Sequence, residues 1–64
     1  MKTLGERLKD LRKEKGYTLE QVAEKLNTTK VTISRYENNL REPKREAISQ
    51  LAKLFNVSTD YLHG

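Results

Sequence analysis

A short segment near the middle of the chain carries side chains that can form hydrogen bonds with nucleic acid. It reads K-V-T-I-S-R-Y-E, from Lys30 to Glu37. The spacing of Ile33 and Tyr36 predicts a helix that turns these two residues inward. The residues left on the outward face are Lys30, Val31, Ser34 and Arg35. Because this face is short, polar and positively charged, it fits the major groove of DNA.

Four side chains of this helix are predicted to reach base edges. Arg35 is expected to bind a guanine, because its forked guanidinium matches the two acceptors of that base in the major groove. Val31 offers no hydrogen bond, so its expected target is a thymine methyl group; the alternative is that Val31 is a core residue. Lys30 and Thr32 are expected to contact either a base or a phosphate, and Thr29, just before them, a phosphate.

A second short helix precedes this segment and is expected to brace it. Its apolar residues follow one another at spacings of three, one and three, which makes one buried stripe: Leu19, Val22, Ala23 and Leu26. The pattern breaks at Asn27, a residue type that tolerates the left-handed conformation of a sharp turn. Thr29 can cap the next helix through its hydroxyl group. Small Ala23 suits the close approach of two helices joined so tightly.

The beginning of the bracing helix is predicted to bind an anion. T-L-E-Q, from Thr18 to Gln21, has the form of a capping box. The amides of Thr18, Leu19 and Glu20 are the candidates to hold a phosphate oxygen, as helix N-termini often do. The Glu20 carboxylate sits awkwardly for that purpose.

The rest of the chain predicts three further helices. Thr3 and Glu6 form another capping box, which opens a first helix that ends at Lys15-Gly16. A fourth helix is predicted from Lys44 to Phe55, and Ser58 opens a short fifth one. Apolar stripes mark the inner faces, and the last of them holds Tyr61 and Leu62, which are either core residues or dimer contacts.

Composition limits the class of protein. A chain of 64 residues makes one domain, and the absence of Cys excludes disulfides and Cys-based zinc sites. The net charge of +4 and the pI near 9.6 favour a polyanionic partner when combined with the helical pattern. No apolar run has the length of a membrane span or signal sequence, so a cytoplasmic location is expected, without membrane contact. We expect no metal and no cofactor.

Enzymatic activity is not expected. His63 stands alone, beside the end of the chain, and Ser34 has no base near it in the sequence. The expected mechanism is therefore binding without covalent chemistry.

The chain resembles the phage repressor/Cro-type helix-turn-helix proteins, the Xre family. The family motif places a small residue in the first helix of the pair, Gly at the turn, and Ile or Val in the second helix. Ala23, Asn27 and Ile33 stand at those places. Further matches run from Leu8 to Ser58: Leu8, Leu11, Arg12, Tyr36-Glu37-Asn38, Arg41-Glu42-Pro43, Leu51-Ala52 and Val57-Ser58. Asn27 replaces the usual Gly, and Leu19 replaces a Gln that binds phosphate in many members.

The resemblance implies an all-α fold, a compact bundle of five short helices like the lambda repressor DNA-binding domain. Residues 1–64 would form a single domain, with the helix-turn-helix at its second and third helices. By this resemblance, Arg12 would pair with Glu37; the alternative is that both are ordinary surface charges. Phosphate contacts are implied just past the recognition helix, at Asn38, Arg41 and Lys44, where the alternative is a solvated loop. Ser34, on the helix itself, is also expected to contact phosphate. Asn39 occupies a left-handed position where the family commonly has Gly.

The function implied is that of a sequence-specific, double-stranded DNA-binding transcriptional regulator, a repressor. It would read the major groove with residues Lys30 to Glu37, as a homodimer on a palindromic operator. The rival interpretation is an antitoxin or adaptor-type interaction module, with a protein regulator or toxin as partner and DNA binding secondary. In either case a prokaryotic or phage protein is expected, associated with the nucleoid.

Overall fold

Five α-helices form the secondary structure of residues 2–64, the part of the chain that this computed structural model describes. They are α1 (Leu4–Lys15), α2 (Leu19–Lys25), α3 (Lys30–Glu37), α4 (Arg45–Phe55) and α5 (Thr59–His63). No strand occurs in this part of the chain. The predicted all-α bundle of five short helices is confirmed. Met1, which the predicted domain includes, lies outside the described residues.

Hydroxyl groups cap the starts of four helices. Each accepts a bond from the amide three residues further on, which satisfies one of the unpaired first-turn donors: Thr3, Thr18, Thr29 and Ser58. The two predicted capping boxes are both present. α4 begins at Arg45, one residue later than predicted, and Lys44 is its N-cap. Lys44 makes no side-chain cap bond, because an ammonium group has no acceptor to offer.

Asparagine adopts the left-handed conformation at three places between helices. The φ angles of Asn27, Asn39 and Asn56 are 56°, 59° and 56°. For Asn27 and Asn39 these values confirm the conformation expected from the sequence. Asn is the residue after Gly that adopts this conformation at the lowest cost, so the turn between α2 and α3 closes without glycine.

One apolar cluster holds the helices together. Its buried members come from all five helices and their ends: Leu8, Leu11, Val22, Ala23, Leu26, Ile33, Tyr36, Ile48, Leu51, Ala52, Phe55 and Leu62. Leu62 is 0% exposed, so it belongs to the core. Tyr61 beside it is 46% exposed, and the Arg7 guanidinium carbon lies 5.3 Å from its ring centroid. Of the two residues that were expected to be either core or dimer contacts, Leu62 is a core residue, and Tyr61 remains accessible at the surface.

The start of α1 approaches the end of α3 very closely at Gly5. A Cβ atom at this position would lie 2.5 Å from the carbonyl oxygens of both Tyr36 and Glu37. The Gly5 amide donates to Asn39 Oδ1 at 3.1 Å, and Asn39 Nδ2 donates to Thr3 Oγ1 at 2.8 Å. The left-handed Asn39 therefore joins the end of α3 to the beginning of α1. Sequence reasoning did not identify this contact.

Gly5→Ala is expected to destabilise the domain, although alanine favours a helix more than glycine does. The added methyl group would have to displace backbone carbonyl oxygens, and overpacking of this kind costs about 1 to 3 kcal/mol. Thermal and urea unfolding measure the effect. Lys9→Ala, at an exposed site of α1, is the matched control and should stay within about 0.5 kcal/mol of the parent. A Gly5→Ala protein as stable as the parent would show that the helices separate without penalty.

Candidate nucleic-acid interface

α3 buries one side and presents the other to solvent. Ile33 and Tyr36 are buried, whereas Lys30, Val31 and Arg35 are exposed. Val31 is 52% exposed, so it is not the core residue that the alternative interpretation required. Thr32 and Ser34 are half-buried along the edges of the helix. An apolar side chain and two cations thus share one accessible surface.

The beginning of α3 is ordered by two threonines. Thr29 Oγ1 accepts the Thr32 amide at 3.3 Å, and the two hydroxyl oxygens lie 3.1 Å apart. A hydroxyl can donate one bond and accept two, so both groups keep capacity for a ligand. The cap therefore fixes the positions of the Thr29 and Thr32 side chains and leaves part of the hydrogen-bonding capacity of their hydroxyl groups free.

Opposite charges meet between the first turns of α2 and α3. Lys30 Nζ lies 3.7 Å from Glu20 Oε1, and both side chains are largely exposed. The two residues line one surface hollow together with Thr18 and Leu19. The sequence does not show that Glu20 and Lys30 meet, because their proximity depends on how the two helices pack. The only signal in it is an acid and a base in the first turns of two tightly joined helices, at the second residue of α2 and the first residue of α3.

The amide of Thr18 is not available to a phosphate. It donates to Gln21 Oε1 at 2.8 Å, and Thr18 Oγ1 accepts the Gln21 amide at 3.1 Å. The Thr18 amide is therefore not a member of the predicted anion site, because the capping box satisfies it. The amides of Leu19 and Glu20 stay a prediction. The Thr18 side chain itself is exposed beside Lys30.

The end of α3 brings further polar residues to the surface. Asn38 Nδ2 donates to the Ser34 carbonyl oxygen at 2.9 Å and to Ser34 Oγ at 3.3 Å, so these two side chains hold each other. Arg41 and Lys44 are exposed, and both line a second hollow, which Asn27 also borders. The structure thus places some of the residues predicted to contact phosphate at the start of α3 and others beyond its end.

A shielded ion pair fixes the end of α3 from behind. Arg12 Nε donates to Glu37 Oε2 at 2.6 Å, and Arg12 Nη2 donates to Glu37 Oε1 at 3.2 Å. Only 14% of the Arg12 side chain and 5% of the Glu37 side chain are exposed. Arg12 Nη1 also donates to the Tyr17 carbonyl oxygen at 2.9 Å. The structure therefore brings the two residues together as a bidentate pair and not as separate surface charges.

Within residues 2–64, no group of three or more His, Cys, Asp and Glu side chains is arranged to hold a metal ion. None of the helices in this part of the chain combines the length and the apolar character that crossing a membrane requires.

Comparisons with known proteins agree with this geometry. The family model described as helix-turn-helix matches residues 8–62. The HTH-type transcriptional regulator ImmR of Bacillus subtilis is 47% identical over 62 residues, which cover 97% of this chain and 49% of ImmR. The chain therefore spans about half the length of the curated relatives it matches.

Solved structures with the same fold include proteins bound to DNA. The P22 c2 repressor in complex with a synthetic operator has a TM-score of 0.94 and 28% identity, covering 98% of this chain and 96% of that one. SinR in complex with DNA has a TM-score of 0.85 and 36% identity, covering 94% and 97%. SinR also matches in its complex with SinI, with a TM-score of 0.84, 36% identity, and coverage of 94% and 59%. The expected lambda-repressor-like architecture is thereby confirmed.

Removing one partner of the shielded ion pair is expected to destabilise the fold. Glu37→Met leaves the Arg12 guanidinium without its counter-charge, and such losses cost about 3 to 5 kcal/mol for buried pairs. Denaturant unfolding of Arg12→Met, Glu37→Met and the double variant Arg12→Met/Glu37→Met tests this with a closed set of substitutions. The double variant should lose clearly less stability than the sum of the two single changes. Strict additivity would mean that the two side chains do not stabilise each other.

Proposed function

Because the chain belongs to the phage repressor/Cro-type (Xre) helix-turn-helix family of transcriptional regulators, we propose that it is a sequence-specific, double-stranded DNA-binding regulator, a repressor. The observation that carries this proposal is the exposed side of α3, where Lys30, Val31 and Arg35 stand on a helix braced from behind. α3 enters the major groove, and the protein acts by binding its operator without covalent chemistry.

Base recognition is assigned to four side chains of α3. Arg35 is exposed and binds a guanine through its two-pronged guanidinium. Val31 contacts a thymine methyl group, which its exposed isopropyl group supports. Lys30 and Thr32, at the beginning of the helix, contact a base edge or the adjacent phosphate.

Phosphate contacts surround α3 and set its register on the duplex. At its start they come from the hydroxyl groups of Thr18 and Thr29. Further along the chain they come from four polar residues of α3 and the segment that follows it: Ser34, Asn38, Arg41 and Lys44. The exposure of Arg41 and Lys44 around one hollow supports this assignment, since cations at one site attract the closely spaced phosphates of a backbone.

A homodimer on a palindromic operator follows from the size of the contact. One recognition helix touches only a few base pairs, which is too few to distinguish one site among many. Two copies related by a two-fold axis read half-sites about 34 Å apart, one turn of the duplex. Residues 1–64 act as one DNA-binding domain in this arrangement.

No enzymatic reaction is assigned to the chain. Ser34 Oγ accepts a bond from Asn38, and His63 is exposed, so we assign neither side chain a role as nucleophile or base. A regulator that binds chromosomal or phage DNA works at the nucleoid, and we therefore assign it to the cytoplasm of a prokaryotic cell.

A protein partner is the second candidate function. SinR, which shares this fold, is known in a complex with SinI as well as with DNA. An antitoxin or adaptor module of this type would bind a protein regulator or toxin, with DNA as a secondary partner. The DNA selection described next separates the two functions, since such a module need not enrich any sequence.

Selection of bound duplexes from a random DNA pool tests the proposed function. We expect one enriched motif with two-fold symmetry, with half-site centres about 34 Å apart. Affinity for the selected site, measured by fluorescence anisotropy, should fall steeply with rising salt, because each phosphate contact releases condensed counterions. Recovery of random sequences, together with a flat salt response, would exclude the proposed function.

Arg35→Ala is expected to weaken binding to the selected site by about 1 to 3 kcal/mol. The loss should be accompanied by relaxed preference at one base position, because the guanidinium no longer distinguishes guanine there. Affinities for all single base-pair variants of the site measure both effects. Arg45→Ala, an exposed Arg at the start of α4, is the charge-matched control. An equal loss on every sequence would make Arg35 a phosphate contact.

A further inference from the structure

Glu20 places a negative charge within the surface assigned to DNA. Its Oε1 atom lies 3.7 Å from Lys30 Nζ, and the Glu20 side chain is 76% exposed. Both side chains line the hollow at the start of α3, beside Thr18. A carboxylate at this place repels the phosphates that approach it, so Glu20 opposes the general attraction of the basic chain for DNA.

We propose that Glu20 is a specificity-determining residue of the DNA interface, which holds the Lys30 ammonium and lowers its attraction for DNA of the wrong sequence. This inference rests on the proposed function. Glu20 need not touch a base itself. It acts through Lys30, because its carboxylate offsets the attraction of the Lys30 ammonium for phosphate and limits the directions of that side chain from the neighbouring helix.

The physical basis is that Glu20 weakens the complex with unrelated DNA more than it weakens the complex with the correct site. On unrelated DNA, Lys30 has only the phosphate charge to attract it, and the nearby carboxylate offsets that attraction. On the correct site, Lys30 makes the first of its two proposed contacts, the one with a base edge, and its ammonium donates to an acceptor such as guanine O6 or N7. Because an ammonium has three donors, Lys30 can keep its contact with Glu20 while it binds that base. The penalty from Glu20 is thus larger for unrelated DNA.

Geometry also favours a positioning effect. Lysine has a long flexible side chain, and ordering it costs conformational entropy when it binds. A neighbouring carboxylate that limits its directions before DNA arrives reduces that cost at the correct site. Exposed pairs of this kind are individually weak, so the expected effect is a change in discrimination and not a loss of folding.

Glu24 is the matched control on the same helix. It is exposed and lies one helical turn beyond Glu20, and it lines a different hollow with Gln21 and Lys25. Glu20→Gln and Glu24→Gln each remove one negative charge from α2, so the net charge changes equally. Only the first change removes the partner of Lys30.

The test measures Kd for the selected site and for a random-sequence duplex of equal length, at one salt concentration. Glu20→Gln should tighten binding to the random duplex about two- to five-fold more than binding to the selected site, the range expected for an exposed ion pair. The specificity ratio then falls by the same factor. Glu24→Gln should shift both affinities together and leave the ratio unchanged. Circular dichroism melting confirms that the variants are folded.

Lys30→Gln distinguishes an action through Lys30 from a general effect of charge. In a Lys30→Gln background, Glu20→Gln should no longer change the specificity ratio. The inference is overturned if the ratio falls equally in both backgrounds, or if Glu20→Gln and Glu24→Gln behave alike while the parent still prefers the selected site. A parent protein that does not distinguish the two duplexes would overturn the proposed function and this inference together.

Discussion

The guanidinium of Arg12 meets the Glu37 carboxylate in a bidentate contact at the end of α3, and its third nitrogen binds the Tyr17 carbonyl oxygen just before α2. Three helices therefore depend on one side chain. A shielded pair adds little net stability compared with apolar residues, since both charges lose water. Any packing that separates them leaves a charge without compensation, so the pair strongly disfavours other orientations of α3.

Local chemistry made most of the helix boundaries predictable from the sequence. The caps at Thr3, Thr18 and Thr29 need only residues within three positions, and the left-handed turn at Asn27 depends on its own side chain. The outward side of α3 followed from helical periodicity in the same way. The predicted start of α4 was one residue too early, because Lys44 carries no side-chain acceptor that would mark it as the N-cap.

Contacts between distant parts of the chain could not be predicted from local sequence patterns. The pattern of α1 does not show that Gly5 lies against the carbonyl oxygens of Tyr36 and Glu37, because that approach depends on how the two helices pack. The contact between Glu20 and Lys30 has the same origin. Arg12 and Glu37, 25 positions apart, could be paired only through the family resemblance. Sequence spacing predicts faces, and the fold decides which faces meet.

The same packing explains how a very short helix can be rigid enough for the DNA-reading role proposed for it. α3 has eight residues, which is too few for a stable isolated helix in water. Its start is capped by Thr29, Ile33 holds its middle in the core, and its end is held by Glu37 and by the Asn39 bonds to α1. In the proposed complex with DNA, little backbone entropy would then be lost on binding. Discrimination between sequences would depend on the exposed side chains of α3, and on contacts such as that between Glu20 and Lys30.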